Sequence, residues 1–73
     1  MDAELDTSGL RCPLPLLKAM QALNSLASGD CLLVRATDPG SVRDFKVFAD
    51  HSGHELLESS ERDGVYSYRL RKR

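Results

Sequence analysis

Residues 13–36 read PLPLLKAMQALNSLASGDCLLVRA, and the stretch holds a helix, its stop signal and a strand in that order. Leu16, Met20, Leu23 and Ala27 recur at spacings of four, three and four, with Ala19 and Leu26 widening the same face. That is the period of an amphipathic helix, predicted over residues 13–27. Gly29 can adopt the left-handed conformation that follows a last helical turn, and Asp30 leads out of it. Residues 31–36 then form a strand in which Cys31, Leu33 and Arg35 alternate with the more apolar Leu32, Val34 and Ala36.

Outward from this unit the turn signals divide the chain into six short elements. Residues 3–6 read as a brief strand, left through a turn at Thr7, Ser8 and Gly9. Downstream, Asp38-Pro39 is expected to open a second helix, the carboxylate capping free N–H groups and proline occupying the first helical position. Val42, Phe45, Phe48 and Ala49 are its expected inward face, and Gly53 its end. Strands over residues 54–61 and 65–71 follow, joined by a tight turn at Asp63-Gly64. A right-handed crossover makes the first two strands parallel, and a chain this short can cover only one sheet face with two helices. The expected fold is an α/β (α+β) two-layer sandwich, β-α-β-α-β-β, with a mixed four-stranded sheet whose other face stays open or meets a partner. No repeat, low-complexity tract or linker interrupts it, so residues 1–73 are expected to form a single domain.

Composition limits what such a domain can do. A chain of this length buries only about 60% of the surface its unfolded form exposes, which favours a surface-presented reactive group over a deep cavity. Ten basic and eleven acidic residues give a net charge of −1, against direct DNA binding by charge. Arg69, Arg71, Lys72 and Arg73 gather near the C-terminus, either as a solvated strand end or as a contact for RNA or protein. The first six residues are acidic and poor in apolar side chains, unlike a secretory signal, and no apolar run approaches membrane-spanning length. The expected setting is therefore cytoplasmic, where two cysteines, Cys12 and Cys31, stay reduced.

Cys12 stands out. The run Asp6-Thr7-Ser8-Gly9-Leu10-Arg11-Cys12-Pro13-Leu14-Pro15 sets it at or beside a helix N-cap, where free N–H groups and the helix dipole favour thiolate, the nucleophilic form. Pro13 and Pro15 remove two of those donors and leave the amides of Cys12, Leu14 and Leu16. The prolines are thus expected to fix the backbone and hold the sulfur outward more than to acidify it. Arg11 and Lys18 can add positive charge. A free cysteine is often a small packing residue; against that, a surface cap position favours Ser, Asp or Asn, and a proline-framed cysteine there points to a reactive thiol.

These residues carry a resemblance. The chain resembles the small sulfurtransferases of the TusA/SirA type, whose signature Asp-x-x-Gly-Leu-x-Cys-Pro-x-Pro is met by Asp6, Gly9, Leu10, Cys12, Pro13 and Pro15. The run 36–39, the His54-Glu55-Leu56 segment and the closing residues 66–72 also look like the family's pattern. The resemblance implies a sulfur carrier: Cys12 would accept sulfane sulfur as a persulfide from a cysteine desulfurase or rhodanese-type donor and relay it to an acceptor protein. It implies no metal and no organic cofactor. The best-known family route leads to 2-thiouridine in tRNA; others serve sulfur oxidation or molybdenum-cofactor supply. Asp6, Gly9, Leu10, Pro13 and Pro15 are expected to support the motif, and Arg11, Lys18, Arg69 and Arg71 are candidate partner contacts.

The remaining features read as structural. Cys31 starts a strand and matches no catalytic position; its pairing with Cys12 in a redox switch ranks last. His51 and His54 flank Gly53 without any zinc-like spacing. Phe45, Phe48, Tyr66 and Tyr68 read as core and sheet-face residues rather than base-stacking platforms. The rival function is a non-catalytic adaptor that docks a partner through the open sheet face or the basic tail, with Cys12 a mere cap.

Overall fold

A computed structural model describes residues 2–73; Met1, the first residue of the acidic N-terminal segment, lies outside them. The elements run β1 (Ala3–Thr7), α1 (Leu14–Asn24), β2 (Cys31–Ala36), α2 (Ser41–Ser52), β3 (Glu55–Arg62) and β4 (Val65–Arg71). The strands form one sheet in the order β1-β2-β4-β3, with β1 parallel to β2 and the other pairs antiparallel. This is the expected mixed sheet and the expected two-layer α+β sandwich.

Alternation along the two central strands fixes the layers. Leu32, Val34 and Ala36 of β2 and Tyr68 and Leu70 of β4 are fully buried, together with Ala19 and Leu23 of α1 and Phe45 of α2. The register sets Val34 beside Tyr68 and Leu32 beside Leu70, so side chains two apart on each strand meet the same helix layer. The Phe45 and Tyr68 rings stack at 4.4 Å and 13°, locking α2 onto β4. The other sheet face is open and polar. It carries the Arg35–Glu4 ion pair at 2.8 Å and the Arg71–Glu55 pair.

Element boundaries depart from the sequence reading in instructive places. Helix α1 ends at Asn24 rather than 27, because the chain turns where the Asp30 carboxylate accepts the Ala27 amide at 2.9 Å. Met20 and Ala27, expected on the inward face, are exposed, whereas Pro15 is buried. β1 runs one residue further, since the buried Thr7 hydroxyl donates to the Arg35 carbonyl at 2.6 Å. The largest correction is at α2. Asp38-Pro39 does not open it: the helix begins at Ser41 with Gly40 as N-cap, and no side chain caps it. Its inward face accordingly starts at Ser41 and Phe45, while Val42 is 44% exposed. At the 63–64 turn Asp63 and Gly64 have φ of 52° and 82°, the paired positive values that a two-residue hairpin turn requires.

Candidate functional site

The chain between β1 and α1 is held residue by residue. Asp6 Oδ1 accepts the Ser8 amide at 3.0 Å and the Ser8 hydroxyl at 2.6 Å, closing the turn, and these bonds hold the Asp6 carboxyl below its ordinary range. Gly9, at φ 83°, swings its amide onto Thr37 Oγ1 at 2.9 Å, which ties this loop to the one leading into α2. Leu10 donates to the Thr7 carbonyl at 3.1 Å. Pro13 is the N-cap of α1, the peptide bond preceding it is cis, and Pro15 lies buried in the first turn. Cys12 is left exposed just ahead of the helix.

A second network brings the α2 loop against it. Tyr68 and Ser41 share a buried hydrogen bond at 2.6 Å, and the Ser41 hydroxyl reaches the Asp38 carbonyl at 2.7 Å. The Asp38 carboxylate, freed from capping α2, accepts the Cys12 amide at 3.3 Å. Gly40 makes the approach possible. A Cβ there would stand 2.8 Å from Asp38 Oδ2 and 3.3 Å from Cys12 Cβ.

From the first turn of α2, Asp44 meets the sulfur itself: Cys12 Sγ–H donates to Asp44 Oδ2 at 2.6 Å. That bond, then partial desolvation and the negative charges of Asp44 and Asp38, push the thiol above its ordinary value. The helix start therefore does not favour thiolate as expected. Two of its three expected donors are spent elsewhere, the Leu14 amide on the Arg11 carbonyl and the Cys12 amide on Asp38. Arg11 and Lys18 are exposed, and the acidity of Cys12 is set by carboxylates rather than by them. Beside the sulfur, α1 and α2 enclose an open groove of about 680 Å³, lined by Leu16, Met20, Val47 and Phe48 together with Arg43, Asp44 and His51.

The other candidate contacts lie elsewhere. Arg69 and Arg71 alternate with the buried Tyr68 and Leu70 and so occupy the open sheet face, where Arg71 pairs with Glu55. Cys31 is on that face too, in a shallow recess with Glu4, Leu33 and Arg69. The two thiols thus belong to opposite layers, and a bridge between them has no support in the fold. The basic tail folds back on the chain: Lys72 Nζ donates to the Leu26 carbonyl at 2.7 Å, and the Arg73 amide to His54 Nδ1 at 2.9 Å. Among the described residues no cluster of three or more His, Cys, Asp or Glu is placed to hold a metal.

The pattern of the family described as Sulfurtransferase TusA matches residues 3–72. The chain belongs to this family. A sulfur carrier protein TusA from Allochromatium vinosum is 54% identical over 71 residues, covering 97% of this chain and 93% of that one. A TusA from Pseudomonas putida is 44% identical over 72 residues, covering 99% and 90%. The crystal structure of a SirA-like protein from Desulfitobacterium hafniense superposes with a TM-score of 0.84 at 27% identity, covering 94% of this chain and 95% of that one. Sulfur carriage is thus the general role of this TusA-family chain, and it entails a sulfur donor and an acceptor.

Sequence reasoning missed Asp44, Gly40 and the Ser41–Tyr68 pair. Asp44 lies 32 residues from Cys12, and the only trace it leaves in the sequence is an acid early in a helix.

Proposed function

We propose that the whole chain, residues 1–73, acts as one cytoplasmic sulfur-carrier domain, a sulfurtransferase whose nucleophile is Cys12. The observation that carries this reading is the exposed cysteine that lines an apolar groove, on a backbone fixed by two prolines, the Asp6 turn and the Asp38 carboxylate. Such a sulfur can enter the active site of a larger partner while the groove covers apolar surface there.

In the proposed step the Cys12 sulfur attacks the terminal sulfur of a persulfide on a cysteine desulfurase or rhodanese-type donor. The Cys12–sulfur bond forms and the donor's S–S bond breaks. The electron pair leaves on the donor cysteine, which takes up the proton Cys12 gives up, so nothing is oxidised or reduced overall. An acceptor cysteine then attacks the terminal sulfur of Cys12–S–SH in the same manner. Delivery toward 2-thiouridine in tRNA is the route proposed. Asp6, Gly9, Leu10, Pro13 and Pro15 orient the cysteine; Arg11 and Lys18 are proposed to meet partners on its side of the molecule. Neither step calls for a metal or an organic cofactor.

Intact-protein mass spectrometry after incubation with a cysteine desulfurase and cysteine tests this. The native chain and Cys31→Ser gain one reducible sulfur atom; Cys12→Ser gains none. Sulfur uptake by Cys12→Ser at the native rate would falsify the proposal.

A further inference from the structure

Asp44 has no place in the exchange just described, yet it is the side chain in contact with the reacting sulfur. Among the described residues no cation pairs with its carboxylate, although Arg43 and His51 line the same groove. An unneutralised carboxylate against a thiol keeps the proton on sulfur, and Asp38, approaching from the loop before α2, adds to the same field. The protonated form is a poor nucleophile toward any electrophile, including the small disulfides and oxidants that a free carrier meets in solution. A carrier held in this way becomes reactive when something removes the charge of Asp44.

We infer that Asp44 determines the selectivity of Cys12: it restrains the sulfur in the free chain, and a sulfur-donating partner releases it by setting a cationic side chain against the Asp44 carboxylate. The inference rests on Cys12 being the carrier nucleophile. The released proton passes to solvent and is recovered by the donor cysteine as it leaves, so R–S–SH and Cys12–SH give R–SH and Cys12–S–SH. The groove supplies the room: Asp44 is half-buried in its lining, open to a residue descending between α1 and α2.

Two rates decide it, each measured at pH 7 on the full chain, Asp44→Asn, Asp44→Ala and the control Asp50→Asn. Asp50 sits on the same helix and carries the same charge, but it pairs with Lys46 at 3.7 Å and does not line the groove beside the sulfur. The first rate is alkylation of Cys12 by iodoacetamide in a Cys31→Ser background. It rises on the order of tenfold in both Asp44 variants, as removal of a like charge in contact with a thiol dictates, and stays near native in Asp50→Asn. Asp44→Ala excludes a new amide donor as the cause, and a thermal melt confirms that each variant is folded. The second rate is sulfur loading from a cysteine desulfurase. It does not rise in the Asp44 variants and falls where the partner's cation has lost its counter-charge, since the partner already neutralises the carboxylate, so discrimination between partner and small reagent collapses by at least about tenfold.

Unchanged alkylation in the Asp44 variants with normal desulfurase loading overturns the role of Asp44 and leaves the carrier reading intact. Loading that accelerates in step with alkylation overturns the release by a partner's cation. A native chain that accepts no sulfur from desulfurase or rhodanese-type donors overturns the carrier reading and this selectivity with it.

Discussion

The two sides of the molecule each carry one cysteine and treat it differently. On the helix side, Cys12 is exposed but surrounded by long-range contacts: Asp38 on its amide, Asp44 on its sulfur, Gly40 close against its Cβ. On the open side, Cys31 is partly buried among cross-strand neighbours, its amide bonded to Asp2 at 3.3 Å, with ordinary strand alternation around it. The same side chain is thus presented in one place and merely packed in the other. What separates them is the convergence of the loop before α2 and the first turn of α2 on one cysteine.

If that convergence depends on how α2 docks, loosening α2 should harm Cys12 and spare Cys31. Phe45→Ala removes the ring that stacks on Tyr68 at 4.4 Å inside the core, and losses of about 3–5 kcal/mol are usual for such a deletion. The expected result is a large drop in Tm, with the environment of Cys12 perturbed before that of Cys31 as denaturant is raised. Thiol trapping of the two cysteines across a denaturant series reads this directly. Simultaneous exposure would mean that the two faces open as one unit.

Much of this was legible beforehand, for identifiable reasons. The element order, the two-layer sandwich with one open sheet face and the place of Cys12 ahead of α1 follow from period-2 and period-3.6 patterns and from a dense local motif, all of which act over short stretches. The α2 entrance was not legible. Asp38-Pro39 has the form of a capped helix start, but the carboxylate finds a better partner 26 residues away at Cys12, and the helix begins at Ser41 instead. A local propensity lost to a tertiary contact there, and the same contact builds the site. The thiol–Asp44 bond was hidden for the same reason, since no pattern within α2 shows which turn faces α1.

Gly40 gives the sharper test of that lesson. Its φ of −63° suits any residue, so replacing it strains no dihedral. What Gly40→Ala introduces is a methyl 2.8 Å from Asp38 Oδ2 and 3.7 Å from Cys12 Sγ. Asp38 must withdraw from the Cys12 amide, and the cysteine loop loses its tie to α2. A fold that barely changes in Tm, with sulfur acceptance lowered by about tenfold or more, is the expected outcome, because misplacing a reacting group by about 1 Å costs rate far more than stability. Native acceptance in Gly40→Ala would show that the Asp38 contact is incidental.

The smallest effect belongs to the open face and completes the comparison. The Arg35–Glu4 pair joins β1 to β2 at 2.8 Å, but its side chains are 42% and 65% exposed. An ion pair so accessible is screened by water and salt and contributes about 0–1 kcal/mol. Glu4→Gln should therefore shift the melting curve slightly at low ionic strength and not at all at high salt, and it should leave sulfur acceptance at Cys12 untouched, because the charge lies across the sheet from the groove. A clear loss of acceptance in Glu4→Gln, persisting at high salt, would mean that partners also grip the open face and that the division between a working side and a structural side is drawn in the wrong place.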